Sequence, residues 1–142
     1  MKRDFISILD WTSEEIRSNL DLAVELKHQT EEGKCPQLLQ GKTFGLFFHK
    51  PSLRTRLSFE VGITQLGGTA IVLTEQDFKI GERETVSDVA RVMSRYVDCI
   101  LIRTFSHQMV LDLSKHATVP VVNMLTDFNY SLLFTEQWSI EI

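Results

Sequence analysis

The chain is predicted to fold as an α/β three-layer sandwich: a parallel sheet of about four strands with helices on both faces. Three observations predict this class. Short apolar runs of four to seven residues alternate with longer segments at helical spacing. The apolar runs are continuous rather than alternating, as expected of strands covered on both faces. Capping or stop residues bound the helical segments, so the order reads as one helix followed by alternating strands and helices.

The first helix starts at Thr12, where Glu15 three residues on completes a capping box. Ile16, Leu20, Ala23, Val24 and Lys27 then follow helical spacing. It should run to about Thr30 and stop at Gly33, with Pro36 beyond. Lys42 to Phe48, after Gly41, reads as a buried strand. Ser52 to Arg56 opens the next helix, with Pro51 just before it. Leu57 to Leu66 continues it at amphipathic spacing, and Gly67-Gly68 is the stop. Ala70 to Leu73 is strand-like, and Gln76 to Arg83, polar and containing Gly81, is a loop. Thr85 caps a helix reaching Tyr96, with Asp88 in its first turn, where negative charge suits the dipole. Cys99 to Ile102 is a strand, Gln108 to His116 a helix and Val119 to Asn123 a strand. No internal repeat or low-complexity segment interrupts the pattern.

At 142 residues the chain fits one domain with a real core. Its 43% apolar and 24% charged residues exclude a disordered chain. A net charge of −4 argues against a nucleic-acid binder. Basic residues nevertheless gather at Lys50, Arg54 and Arg56, which leaves room for a local anion site. Cys35 and Cys99 stand far apart and form neither a zinc pattern nor a disulfide framework, which suits a reducing cytoplasm. No long apolar run follows Met1, so neither a signal peptide nor a membrane partner is expected. No G-x-G-x-x-G or Walker A loop follows a strand, which counts against a nucleotide binder.

In an open parallel sheet, ligands bind outside the carboxyl ends of the strands. Two strand ends carry unusual polarity: His49-Lys50-Pro51-Ser52-Leu53-Arg54-Thr55-Arg56 after the first, and Arg103-Thr104-Phe105-Ser106-His107 after the third. Free N–H groups and the dipole of the helix opening at Ser52 favour an anion. Ser52, Arg54 and Thr55 add two hydroxyls and a guanidinium able to grip phosphate oxygens. The plain alternative is an N-cap serine followed by surface arginines. For Arg56 that alternative is preferred, because Glu60 stands four residues on.

Phe48 to Arg56 is similar to the motif shared by the aspartate and ornithine carbamoyltransferases. The match continues in Leu57-Ser58-Phe59-Glu60-Val61-Gly62, Gln65-Leu66-Gly67-Gly68, Glu84, Asp88-Val89-Ala90-Arg91, Ser94-Arg95-Tyr96-Val97-Asp98 and Ile102-Arg103-Thr104-Phe105. Arg103-Thr104-Phe105 with Ser106-His107 resembles the ornithine branch, since the aspartate enzymes usually place histidine directly after that arginine. A relative acting on aspartate or another amine is the alternative.

The resemblance implies transfer of a carbamoyl group from carbamoyl phosphate to L-ornithine, giving L-citrulline and phosphate, without a metal or cofactor, in a homotrimer. It assigns carbamoyl-phosphate binding to Ser52, Leu53 through its backbone N–H, Arg54, Thr55 and Arg103, with Arg54 and Arg103 as the catalytic pair. Arg103 would stabilise negative charge developing on the phosphate and carbonyl side. Lys79 keeps two readings: a solvated loop lysine, or the residue that relatives place near here to reach a neighbouring subunit's site. His49, His107 and His116 are expected to be structural or exposed.

Two departures from the family pattern matter. Leu53 stands where threonine or glycine is usual, removing a hydroxyl but keeping the N–H. After Leu125-Thr126-Asp127-Phe128-Asn129, the family's histidine-proline-x-x-glutamine motif is replaced by Tyr130-Ser131-Leu132-Leu133. The expected organisation is therefore a carbamoyl-phosphate-binding domain at 1–129 and a divergent tail at 130–142, without the amino-acid-binding domain, as a frameshift or disrupted gene would leave it. On this reading the chain alone is inactive. The competing reading is a non-catalytic binding or regulatory module that joins intact subunits.

Overall fold

The computed structural model describes residues 2–82 and 84–127. The expected boundary at 129 and the tail at 130–142 lie outside the described residues, as does Arg83. The described elements are α1 (Ser13–Glu31), β1 (Thr43–Phe48), α2 (Leu53–Gln65), β2 (Thr69–Thr74), α3 (Val86–Met93), β3 (Cys99–Arg103), α4 (His107–His116) and β4 (Val121–Leu125). The strands form one parallel sheet in the order β2-β1-β3-β4. This is the predicted class, with the predicted four strands.

Side chains alternate across β1. Leu46 and Phe48 pack with Ile63 of α2, Leu101 and Met124 on one face. Phe47 packs on the other with Val89 and Ala90 of α3, Val110 and Leu113 of α4, Ile100 and Ile102. The α1 helix lies on the α2 side, where both border one groove. Helices thus cover both faces, and the strands are buried on each, which is why they read as continuous apolar runs.

The helix starts match their caps. Thr12 accepts from the Glu15 N–H while the Glu15 carboxylate accepts from the Thr12 N–H. Ser52, Thr85 and Ser106 each accept from the N–H three residues on. At the end of α2, the Gly67 N–H donates to Thr64 and the Gly68 N–H to Ile63, with Gly67 at φ +87°. This closure needs a left-handed residue after the helix, which glycine supplies without strain.

Three boundaries differ from expectation by more than a residue, each for a local reason. The α3 helix ends at Met93, not Tyr96, because Arg95 and Tyr96 donate to carbonyls three residues back, a tightened turn. The β4 strand occupies Val121–Leu125 rather than Val119–Asn123. Pro120 has no N–H for a ladder, and the polar Asn123 is not a terminator: it is buried and its amide donates to the Ile6 carbonyl. The amino-terminal segment, given no role by its sequence, lies along β4. Phe5 exchanges backbone bonds with Val121 and Asn123, and Asp4 accepts from the Val121 N–H. No described helix is long and apolar enough to cross a membrane.

Candidate functional site

The strand order places the site. From β1 the chain leaves through α2 toward β2; from β3 it leaves through α4 toward β4, on the opposite face and in the opposite direction. The carboxyl ends of the adjacent strands β1 and β3 therefore flank the point where the topology reverses, where such sheets open a crevice. Phe48 and Arg103 are partners in register there, and the His49 N–H donates to the Arg103 carbonyl at 2.9 Å.

Three predicted residues meet at this point. The Ser52 hydroxyl donates to Thr55 Oγ1 at 3.0 Å and accepts from the Thr55 N–H at 3.3 Å. Arg103 Nη1 donates to the same Thr55 Oγ1 at 2.9 Å. Thr55 is buried, so the hydroxyl that ties the helix start to the strand-end guanidinium is held by packing as well. A bulge between Ile102 and Arg103 shifts the β3–β4 register just where the arginine leaves the sheet.

Leu53 and Arg54 fill the first two helical positions of α2, and both are exposed. Their N–H groups belong to the turn that has no intrahelical acceptor. The first turns of α1 and α3 carry acids, whereas that of α2 carries none and holds Arg54 instead. A cation there opposes the helix dipole; an anion seated at that end would satisfy both. Arg56 turns away to pair with Glu60 at 2.9 Å, as its spacing predicted.

Lys79 is not brought to this cluster. It lies on the loop after β2, exposed, and pairs with Glu82 at 3.2 Å; the neighbouring Ile80 is buried and anchors the loop. The three histidines named above each have a neighbour: His49 Nδ1 is 3.0 Å from Thr104 Oγ1, His107 Nδ1 is 3.1 Å from Thr126 Oγ1, and His116 Nδ1 is 2.8 Å from the Asp112 carbonyl.

Sequence reasoning did not foresee a second polar belt along the same edge. His49 Nε2 lies 2.6 Å from Glu75, and the His49 ring meets Phe105 edge-on. Lys50 sits over the Phe105 ring and pairs with Asp127 at 3.1 Å. These contacts join the ends of all four strands around the site. Only the polarity of the strand ends could have signalled them. The Cys99 thiol, buried at the opposite end of β3, is pushed up to about 12 chiefly by burial and is not a nucleophile at neutral pH.

Fold and site together define a doubly wound domain with a cationic, hydroxyl-bearing cluster at its topological switch point. Residues 3–130 match the family model described as aspartate/ornithine carbamoyltransferase, carbamoyl-P binding domain. The chain is 52% identical over 125 residues to an ornithine carbamoyltransferase of Anoxybacillus flavithermus, covering 88% of this chain and 40% of that protein. The structure of ornithine carbamoyltransferase from Pyrococcus furiosus superposes with a TM-score of 0.86 at 49% identity, covering 88% of this chain and 40% of that one. That of the Burkholderia thailandensis ornithine carbamoyltransferase gives 0.89 at 34% identity, covering 96% and 48%. The chain belongs to the aspartate/ornithine carbamoyltransferase family. It spans about 40% of the length of the curated relatives it matches.

Proposed function

We propose that this chain is the carbamoyl-phosphate-binding portion of an ornithine carbamoyltransferase. In that reaction the neutral amine of L-ornithine attacks the carbonyl carbon of carbamoyl phosphate. The C–N bond forms, the C–O bond to phosphate breaks, a proton leaves the amine, and L-citrulline and phosphate result. The observation that carries the reading is the 2.9 Å bond from Arg103 to Thr55. It sets a strand-end guanidinium beside the start of a helix whose first turn is cationic.

In this reading the phosphate rests on the first N–H groups of α2, Leu53 included, with the Ser52 and Thr55 hydroxyls and Arg54 around it. Arg103 reaches the oxygens between phosphate and carbonyl, where negative charge grows as the bond to phosphate breaks. Donors fixed in advance at that place lower the barrier without reorganising. Positioning of the amine comes from outside this domain: the rest of the longer protein, and a neighbouring subunit of a homotrimer to whose site Lys79 would be offered. The compartment is the cytoplasm. A second reading, a binding module without turnover that joins intact subunits, is favoured only by the match to one domain of the longer relatives.

Calorimetric titration of the chain with carbamoyl phosphate, and with inorganic phosphate, tests the proposal. Binding at one site is expected. Arg54→Ala should weaken it about 10- to 100-fold, the loss of a charge-assisted contact worth about 1.5–3 kcal/mol. Arg56→Ala should leave it within about twofold, since exposed ion pairs contribute little. Equal losses in the two variants, or no binding at all, would overturn the assignment.

A further inference from the structure

His49 follows the last residue of β1, so the pleat carries its ring to the same face as that of Phe47, with the centroids 6.4 Å apart. There it meets three consecutive residues at the end of β3. The His49 N–H donates to the Arg103 carbonyl at 2.9 Å, and Nδ1 lies 3.0 Å from Thr104 Oγ1. The Phe105 ring stands edge-on to the imidazole, with centroids 5.6 Å apart. On the far side, Nε2 lies 2.6 Å from Glu75, the residue after β2. The ring is pinned at both nitrogens.

This support falls where the sheet gives less of its own. The β3–β4 register shifts between Ile102 and Arg103, and such a step re-aims the side chains beside it. The direction in which Arg103 leaves the strand therefore depends on what grips the backbone around it. Thr104 is fully buried, and its hydroxyl meets His49 on one side and the Met109 sulfur at 3.5 Å on the other.

We propose that His49 is a positioning residue for Arg103. Bonded to the Arg103 carbonyl and to the Thr104 side chain, it fixes the backbone from which the guanidinium reaches Thr55. It does so without touching a ligand. A donor locked in place beforehand loses less freedom when the ligand arrives. That this matters for a ligand rests on the phosphate-site reading; the hold on Arg103 does not.

Two amides separate this role from mere packing. Asparagine at 49 places its amide where Nδ1 stands, in reach of Thr104 and able to donate or accept; glutamine places it where Nε2 stands, in reach of Glu75. Nitrogen-15 relaxation of the Arg103 Nε–H in the ligand-free chain reads the hold directly. Its order parameter should match rigid backbone, about 0.85, in the unaltered chain and in His49→Asn, and fall below about 0.6 in His49→Gln. Calorimetric affinity for carbamoyl phosphate should stay within about twofold in His49→Asn and drop about tenfold in His49→Gln, as when one buried hydrogen bond is lost. Thr104→Val cuts the same bond from the other side and keeps the ring. It should behave as His49→Gln does, and it decides the matter if either His49 variant fails to fold. An Arg103 equally rigid, or equally loose, in the two His49 variants overturns the proposal, as does full affinity in His49→Gln. Arg103 loosening as expected in a chain that binds no carbamoyl phosphate would support the positioning and overturn the phosphate site instead.

Discussion

The Thr55 hydroxyl accepts from both Ser52 and Arg103, which uses its two lone pairs and leaves its own proton to be donated. A threonine inside a helix's first turn thus also orients a guanidinium from another strand. The next residue but one toward the cap, Leu53, is 74% exposed and packs against little. Leu53→Thr therefore removes no core contact, and unfolding free energy should move by less than about 0.5 kcal/mol. The new hydroxyl would lie beside the phosphate, so carbamoyl phosphate should bind about three- to tenfold more tightly, roughly 1 kcal/mol. Titration of the variant checks this; unchanged affinity would mean that the first helical position faces away from the ligand. That Ser52, Thr55 and Arg103 would meet at one edge was legible because a helix start and a polar strand end speak locally. The His49–Glu75 and Lys50–Asp127 contacts were not, because their partners are distant in sequence and each residue alone reads as an ordinary charge.

Asp98, one residue before β3, joins the starts of two neighbouring strands. Its carboxylate accepts from the Thr43 N–H at 2.8 Å and from Lys42 Nζ at 2.9 Å. The Thr43 bond, and then Lys42, hold the Asp98 carboxyl below its ordinary value of 3.8. Asp77 and Glu15 are lowered likewise, chiefly by the Thr74 and Thr12 N–H groups. A carboxyl lowered in the folded state contributes stability fully above the unfolded value, and that stability is lost as pH falls through the folded one. The melting temperature should therefore drop as pH falls below about 4. Asp98→Asn keeps a neutral acceptor for Thr43 but loses the charge, so it should melt lower than the unaltered chain at pH 7. The two curves should converge at about pH 2, where the aspartate is protonated too. A gap that stays constant across this range in calorimetry would assign the loss to packing instead. At this scale the caps and glycine stops were legible to within a residue or two. The late start of β4 was not, because it depends on Pro120 and on the amino-terminal segment lying alongside.

Across the whole molecule, alternating strands and helices foretold a parallel sheet, but the order β2-β1-β3-β4 was not legible. It follows from which way each crossover turns, and that is decided by packing over long sequence separations. Yet this order brings the two polar strand ends side by side and so assembles the site. On the proposed function, the assembled part deals with one substrate only. Residues 3–130 match a carbamoyl-phosphate-binding domain, and the chain spans about 40% of its relatives' length. Transfer also needs an amine held in line with the carbonyl carbon, and such orientation can contribute about 7–11 kcal/mol to lowering the barrier. A phosphate grip that holds ground state and transition state alike does not raise the rate of the chemical step. Arg103 could add some stabilisation of the departing phosphate, but without a positioned amine that group has no reaction to assist. Residues 1–142 by themselves, given carbamoyl phosphate and L-ornithine, should therefore form citrulline no faster than buffer does, while still binding phosphate. A colorimetric citrulline assay at saturating substrates reads this directly. Turnover above the buffer rate that disappears in Arg54→Ala would show instead that the groups around α2 and Arg103 are enough to position the amine.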